Sequence, residues 1–582
     1  MIWASRPGRE VGGGPVVGGA PAAEADRGLV QAGARLLPDL DTRLVAGGAV
    51  LVGGSPVRVL RLTPAGARQV GAWFAGAPVE SGAGGRSLAR RLLDAGIAHP
   101  RFSPDGGDGA GDVTVVIPVR DRHAELDRCL SGLDDPGAPT DSPRPRVIVV
   151  DDASADPAAI AAIAARHGAS AVHRPVNGGP GAARNTGLAA AGTELVAFLD
   201  SDCVPRPGWL DGLLPHFADP AVGAVAPRIV PADGGEGWLA RYEGASSTLD
   251  MGARPSVVRP GARVSYVPGA ALVVRKAAAG AGFNDGMYVG EDVDFVWRLG
   301  AAGWRVRYEP DAVMGHDHRV TFRAWFRRRA DYGTSAAALE ELHPGSVRPL
   351  YASWWTAGAW AAALSGRPLT ATALTVAAIA LLARRLSLVT GERWPLPASP
   401  PDNSIMRDRE AGPGARPAVI ADRWERQGPP DDPRSSPPLD NSKRRRGSGG
   451  GGTGRRQRDR LGEAAAWRLA VRLAGGGTLG SGRPIGSALT RTWWPVAVPV
   501  AVAVRKARLP VAALILVPPL LDWAGRRPPL DPARYVAARL LDDAAYSVGV
   551  WQGCLARRTI RPLLPVIGGK RPPGSALRDG PA

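Results

Sequence analysis

Asp200-Ser201-Asp202 closes the apolar run Leu195-Val196-Ala197-Phe198-Leu199. Two carboxylates one residue apart at the end of a buried strand add little to a core, because a buried charge is costly unless paired. They suit a divalent cation that prefers oxygen ligands, Mg²⁺ or Mn²⁺, of the kind that carries substrate phosphates. A lone Asp-x-Asp turns up by chance in long chains and is more often a loop or a helix cap, so its meaning rests on its surroundings. More acids stand at comparable places. Asp151-Asp152 follow Val147-Ile148-Val149-Val150, and Glu291, Asp292 and Asp294 follow the glycine-rich segment 282–290.

The elements around these acids are ordered along the chain. Val113-Thr114-Val115-Val116-Ile117-Pro118 is a short β-branched run ended by proline and reads as a buried strand. A helix is expected over 124–133, a strand at 147–150, a helix over 157–167 and a strand at 169–173. The loop Asn177-Gly178-Gly179-Pro180-Gly181, a helix over 182–191 and the strand 195–199 come next. Such alternation predicts a doubly wound, mostly parallel α/β sheet, whose ligands bind beyond the carboxyl ends of the strands. Asp151, Asp152, Asp200 and Asp202 all fall at such ends. Glu291, Asp292 and Asp294 also read as the acidic first turn of a helix ending near Gly300. Past the strand-like 304–308, Gly315-His316-Asp317-His318-Arg319 offers imidazoles that would have to be neutral to ligate a metal.

These motifs, taken in order with Ile117-Pro118-Val119-Arg120, Val150-Asp151-Asp152-Ala153-Ser154, Asn177 through Gly187 and Glu291-Asp292-Val293-Asp294, resemble family 2 glycosyltransferases of the GT-A fold across residues 112–325. The resemblance implies a nucleotide-sugar donor and a bound Mg²⁺ or Mn²⁺. It implies that Asp151 or Asp152 bonds the uracil or ribose, near Pro118, and that Arg184 pairs with phosphate while Asn185 caps or bonds the sugar. Asp202 becomes the expected direct metal ligand, Asp200 a ribose, sugar or metal contact, and His316 a further metal or diphosphate ligand. In inverting members the Glu291-Asp292 position supplies the general base, with Asp292 favoured over Glu291. For Asp151 and Asp152 an N-cap of the next helix is the plain structural alternative. Processive synthases carry Gln-x-x-Arg-Trp, whereas this chain has Arg323-Ala324-Trp325-Phe326-Arg327-Arg328-Arg329, which disfavours a long-chain processive product.

The ends of the chain add detail. Segment 44–54 has the look of a hairpin with a glycine turn, 57–62 adds a strand, and Thr63-Pro64 opens a helix with a cap and a proline at its first position. Leu88 through Leu93 makes another helix, ending at Gly96. Residues 34–99 thus resemble small winged-helix-like domains that recognise leader peptides. With the segment from Arg534 to Trp551, the whole resembles the mycofactocin-system glycosyltransferases of actinobacteria. That implies glucose moved from UDP-glucose or a related donor to a peptide-derived redox cofactor precursor, several β-linked units in turn. A cell-envelope enzyme with a lipid-linked or polysaccharide acceptor, and a nucleotide-sugar-binding scaffold, are the rival readings.

Composition bounds the rest. The organisation expected is a disordered 1–33, the winged-helix-like 34–99, the catalytic 112–345, an apolar helical 346–392, a disordered insertion at 393–460, an apolar helical 461–560 and a disordered 561–582. The formal charge of +18 comes partly from Lys443 to Arg446 with Arg455, Arg456, Arg458 and Arg460, opposed there by Asp459 alone. No aromatic residues are interleaved with that cluster, so nucleic acid is not an expected partner. Cys129, Cys203 and Cys554 have neither disulfide nor metal spacing and suit a reducing cytoplasm. Segments 369–383, 493–504 and 509–524 are apolar, flanked by tryptophan and arginine, and shorter than the ~20 residues a spanning helix needs. They predict association with the cytoplasmic face of the cell membrane, peripheral or integral, with a buried helical domain as the alternative.

Overall fold

The computed structural model describes residues 28–45, 48–102, 113–133, 145–232, 235–317, 321–390 and 466–568. The expected disordered terminus up to 27, the 393–460 insertion and the tail beyond 568 lie outside the described residues, as do His318 and Arg319.

At the front, β1 (Arg35–Pro38) pairs with β5 (Ala98–Arg101), and β2 (Arg43–Val45), β3 (Val50–Gly53) and β4 (Arg58–Arg61) form an antiparallel three-stranded sheet. Thr63 caps the helix Pro64–Phe74 by accepting from Gly66 N at 3.1 Å, and the helix Ala83–Ala95 ends on Gly96 in the left-handed conformation. Trp73, Val70, Leu92 and Ile97 are wholly buried in this unit, and Val30 packs on them, so its ordered chain begins before residue 34. Asp39, itself buried, accepts from Arg254 at 3.0 Å and Arg263 at 2.9 Å, which docks the unit on the central one. Arg90 with Asp219 at 2.7 Å and Arg305 with Asp94 at 2.9 Å extend that contact.

The central unit contains β6 (Val113–Val119), β7 (Arg146–Asp152), β8 (Ser170–Arg174), β9 (Leu195–Leu199), β10 (Cys203–Pro205), β11 (Val222–Pro231), β12 (Ser256–Val257), β13 (Ala271–Arg275) and β14 (Arg305–His316). They form one sheet in the order β10-β14-β11-β13-β9-β6-β7-β8, with β12 on β14. The expected parallel strands β9, β6, β7 and β8 lie side by side, and β11 with β14 is parallel too. Between these groups β13 runs antiparallel to both neighbours, so the sheet is mixed. Val115 and Ile117 enter the core on one face while Val116, Val150 and Phe198 enter it on the other, which is why these strands read as continuous apolar runs.

Helices follow. Phe322–Leu342 packs along Pro532–Ala556 at a crossing where glycines let the backbones meet: a Cβ on Gly549 would stand 1.8 Å from Ala330 O. The helices Trp354–Leu364, Pro368–Thr390, Gly482–Arg491, Trp494–Ala503 and Arg508–Arg526 complete the chain with β15 (Tyr351–Ala352) and β16 (Val566–Ile567), which pair in parallel. The apolar segments 369–383 and 509–524 continue into their basic flanks as helix. Pro368–Arg385 and Arg505–Arg526 are therefore long and apolar enough to cross a bilayer, unlike the bare apolar runs.

Candidate active site

The carboxyl ends of β6, β7 and β9 meet at one rim, because Val119 pairs with Asp151 and Val116 with Phe198 in parallel register. Asp200 N donates to Ala270 O at 2.8 Å, which turns the chain out of β9 and hangs Asp200 and Asp202 over the rim. A cavity of about 1090 Å³ opens there, lined by Pro118, Asp152, Arg184, Asp200, Asp202, Glu291, Asp292 and His316. Asp151 and Asn185 are not among its lining residues.

Asp202 takes positive charge on both oxygens. Arg122 donates to Oδ2, and His316 Nε2 lies 3.4 Å from Oδ1. Burial would raise the Asp202 carboxyl, but His316 and Arg122 outweigh it and hold the group far below the usual carboxylate range. Burial opposes the charge on His316 as well, and its bond to Asp202 still raises the imidazole above its ordinary value. Cys203, next in the chain, is fully buried with its thiol on Ala270 O at 3.3 Å, and packs as a small apolar residue.

Arg184 connects the two acidic groups. Its buried guanidinium donates from Nη2 to Asp200 Oδ1 at 2.6 Å and from Nη1 to Glu291 Oε1 at 2.9 Å, beneath the ring of Phe283. Burial works against its charge, yet Asp200 and Glu291 raise the guanidinium above its ordinary value. Gly187, one turn along the same helix Gly179–Ala190, is pressed on β6: a Cβ there would meet Val116 Cγ1 at 2.2 Å. The glycine-rich motif is thus needed for the helix to sit close enough for Arg184 to reach both acids.

Glu291 and Asp292 open the helix Glu291–Ala301. Burial pushes the Glu291 carboxyl up to about 7, helped by the charge of Asp292 and opposed by Arg184. Asp292 is less buried; its Oδ2 accepts from Gly269 N at 2.9 Å and its Oδ1 from Val293 N at 2.8 Å. Asp294 turns away to Arg298 and His343, at 2.8 Å from each.

Adjacent acids on β7 separate. Asp152 accepts from Gly178 N at 3.0 Å, Gly179 N at 2.8 Å and Arg174 Nε at 2.9 Å, so it holds the glycine loop at the cavity edge. Asp151 turns the other way to His173 at 2.7 Å and Ser154 N at 3.0 Å. Neither caps the following helix, whose N-cap is Asp156. Asn185 binds the backbone of Phe283 on both sides, at 2.9 and 2.7 Å, and pins the loop before Glu291. Sequence reasoning missed Arg122, although a basic residue just beyond a parallel strand was a usable signal. It also missed Arg491 and Tyr546, which reach the cavity from the C-terminal helices and carried no local signal.

Comparison with known proteins follows the same lines. Residues 114–279 match Glycosyl transferase family 2. A pre-mycofactocin glycosyltransferase of Mycobacterium tuberculosis is 38% identical over 539 residues, covering 91% of this chain and 97% of that protein. This chain belongs to the family 2 glycosyltransferases, among the pre-mycofactocin glycosyltransferases. An uncharacterized M. tuberculosis protein is 32% identical over 263 residues, covering 42% of this glycosyltransferase and 81% of that chain. Among solved structures, the mannosyltransferase PcManGT from Pyrobaculum calidifontis, in complex with GDP-Man and Mn²⁺, aligns at 22% identity with a TM-score of 0.32, covering 55% of this glycosyltransferase and 89% of that chain. The expected fold class, GT-A with a helical C-terminal region, and the expected enzyme class, a hexosyltransferase, hold for this chain.

Proposed function

We propose that the enzyme is a cation-dependent, inverting transferase that moves glucose from UDP-glucose to a peptide-derived redox cofactor precursor, pre-mycofactocin, and extends it to a short β-linked oligosaccharide. The observation that carries this reading is the convergence of Asp202 and Asp200 with Glu291 and Asp292 on one cavity, joined by Arg184, in a chain that parallels its relative nearly end to end.

The donor set fits Mg²⁺ or Mn²⁺. Asp202 offers carboxylate oxygens that already face positive groups, and His316 stands beside it. Among the described residues no group of three or more His, Cys, Asp or Glu side chains is placed to hold a metal ion. Asp202, together with His316 once its imidazole has given up the proton that Asp202 favours, would therefore share the ion with the donor's phosphate oxygens and water. When bound, the cation supplies Lewis-acid stabilisation of the departing nucleoside diphosphate. Arg122 adds positive charge at the same place. Asp152 positions the Gly178–Gly179 backbone against the nucleotide, and Asp200 meets the ribose or sugar from its Arg184 anchor. Asp292 takes the proton from the accepting hydroxyl, held in aim by Gly269 N. Glu291, paired to Arg184 and buried, sets the position of both acidic groups.

Residues 34–99 are assigned to recognition of the peptide-derived part of the acceptor. The exposed apolar faces of Pro368–Arg385 and Arg505–Arg526, with Leu369 and Leu509 more than four-fifths exposed, are assigned to the cytoplasmic face of the membrane. Mass spectrometry of the products from UDP-glucose, Mn²⁺ and pre-mycofactocin tests the proposal. Acceptor ions heavier by one and then more hexose units are expected, with less product when precursor peptide is added as competitor. Hexose on water alone would overturn it.

A further inference from the structure

The catalytic cavity does not end at the family 2 match. Beyond Asp292 it continues into a wall of tyrosines and arginines, part of which comes from helices that begin more than 200 residues after the end of that match. Tyr266 and Tyr332 stand on the central unit, Tyr546 lies on Pro532–Ala556, and Arg491 ends Gly482–Arg491. Arg491 lies over the ring of Tyr546 at 4.4 Å and Arg328 over the ring of Tyr332 at 4.7 Å. Asp543 fixes the helix end that carries Arg491, standing 3.8 Å from its guanidinium and accepting from Thr490 at 2.6 Å. Tyr266 lines the same cavity as Asp292, Arg491, Tyr332 and Tyr546.

Tyrosine rings with guanidinium groups over them offer flat apolar surface beside fixed hydrogen-bond donors. The donor's phosphates and cation are assigned above to Asp202 and its nucleotide to the loop held by Asp152, which leaves this wall of the cavity to the acceptor. The wall adjoins the carboxylate that faces the accepting hydroxyl. We propose that Arg491 and Tyr546, with Tyr266 and Tyr332, form the acceptor subsite, binding a planar, oxygen-bearing ring so that its hydroxyl meets Asp292. The C-terminal helices then set acceptor specificity. This rests on the hexosyl-transfer reading above and names the part of the molecule that selects the acceptor.

The test is steady-state kinetics of the full chain with UDP-glucose, Mn²⁺ and pre-mycofactocin. Arg491→Ala and Tyr546→Leu should each raise KM for pre-mycofactocin about tenfold or more, the scale of one lost stacking or charge-assisted contact. KM for UDP-glucose should stay within about twofold. Tyr546→Phe, which keeps the ring, should stay near the wild-type KM. An unchanged acceptor KM in Arg491→Ala, or a rise in donor KM equal to that for acceptor, overturns the assignment. Should either variant fold poorly, Arg491→Lys carries the same test, since it keeps the charge and loses the planar stack. A wild-type enzyme that transfers nothing to pre-mycofactocin would instead refute the function, so the two failures are distinguishable.

Discussion

Neighbouring residues with the same side chain do different work here, and the reason is geometric. Asp151 and Asp152 sit on one strand, where successive side chains point to opposite faces, so one turns to His173 and the other to the glycine loop. Arg184 and Asn185 are separated by about 100° around their helix, so one reaches the acids and the other the Phe283 backbone. The sequence marks the pair in each case; which member faces the cavity depends on which layer covers that side of the sheet. Glu291 gives a prediction at this scale. Its carboxyl is raised by burial to about 7, so it favours the fold most while protonated, below its unfolded value, and loses that contribution as pH climbs through about 7. Glu291→Gln has nothing to titrate. The thermal midpoint of the native enzyme should therefore fall relative to that of Glu291→Gln between pH 5 and pH 8, as calorimetry can measure. A constant difference would mean that Glu291 is not raised.

Strands and helices whose signal is local were readable: β6, β7 and β9 have the expected apolar runs, and Thr63-Pro64 and Gly96 delimit helices as capping chemistry requires. Direction was less so. Nothing within Ala271–Arg275 says that β13 runs antiparallel, because that is settled by its partners β9 and β11. The contact between Phe322–Leu342 and Pro532–Ala556 was equally invisible, since a glycine in a helix interior marks a close approach only once its neighbour is known. Gly549→Ala would place a methyl group against Ala330 O and force the helices apart. It should cost about 1–3 kcal/mol, the usual range for an overpacked contact, and lower the thermal midpoint. Because both helices line the cavity, kcat/KM for acceptor should fall too. A variant as stable and active as the native enzyme would show that the crossing yields without cost.

At the scale of the whole molecule, the chain is a catalytic sheet held between a front unit and a helical back. Asp39 fixes the front through Arg254 and Arg263, and Arg329 links Glu243 of the sheet unit to Asp542 of the back at 3.0 Å. Such contacts join residues hundreds of positions apart, which is why the motifs marked the Asp200–Asp202 and Glu291–Asp292 part of the cavity while the wall supplied by the C-terminal helices stayed hidden. The exposed apolar helices are flanked by Arg384, Arg385, Arg505, Lys506 and Arg508, a pattern that suits an anionic bilayer surface. The full chain should therefore float with vesicles containing phosphatidylglycerol, and bind less to purely zwitterionic ones in a flotation assay. Equal failure to float with both would remove the membrane assignment. The central claim is that one cavity holds the donor at Asp202 and activates the acceptor at Asp292. It is tested most directly by measuring UDP-glucose binding with Mn²⁺ and hexose transfer side by side in Asp202→Ala and Asp292→Asn. The account predicts that Asp202→Ala loses both, while Asp292→Asn keeps donor binding and loses transfer by about 10²–10⁴-fold, the usual worth of a positioned general base. Transfer at the native rate in Asp292→Asn, or native Mn²⁺-dependent binding in Asp202→Ala, would contradict it.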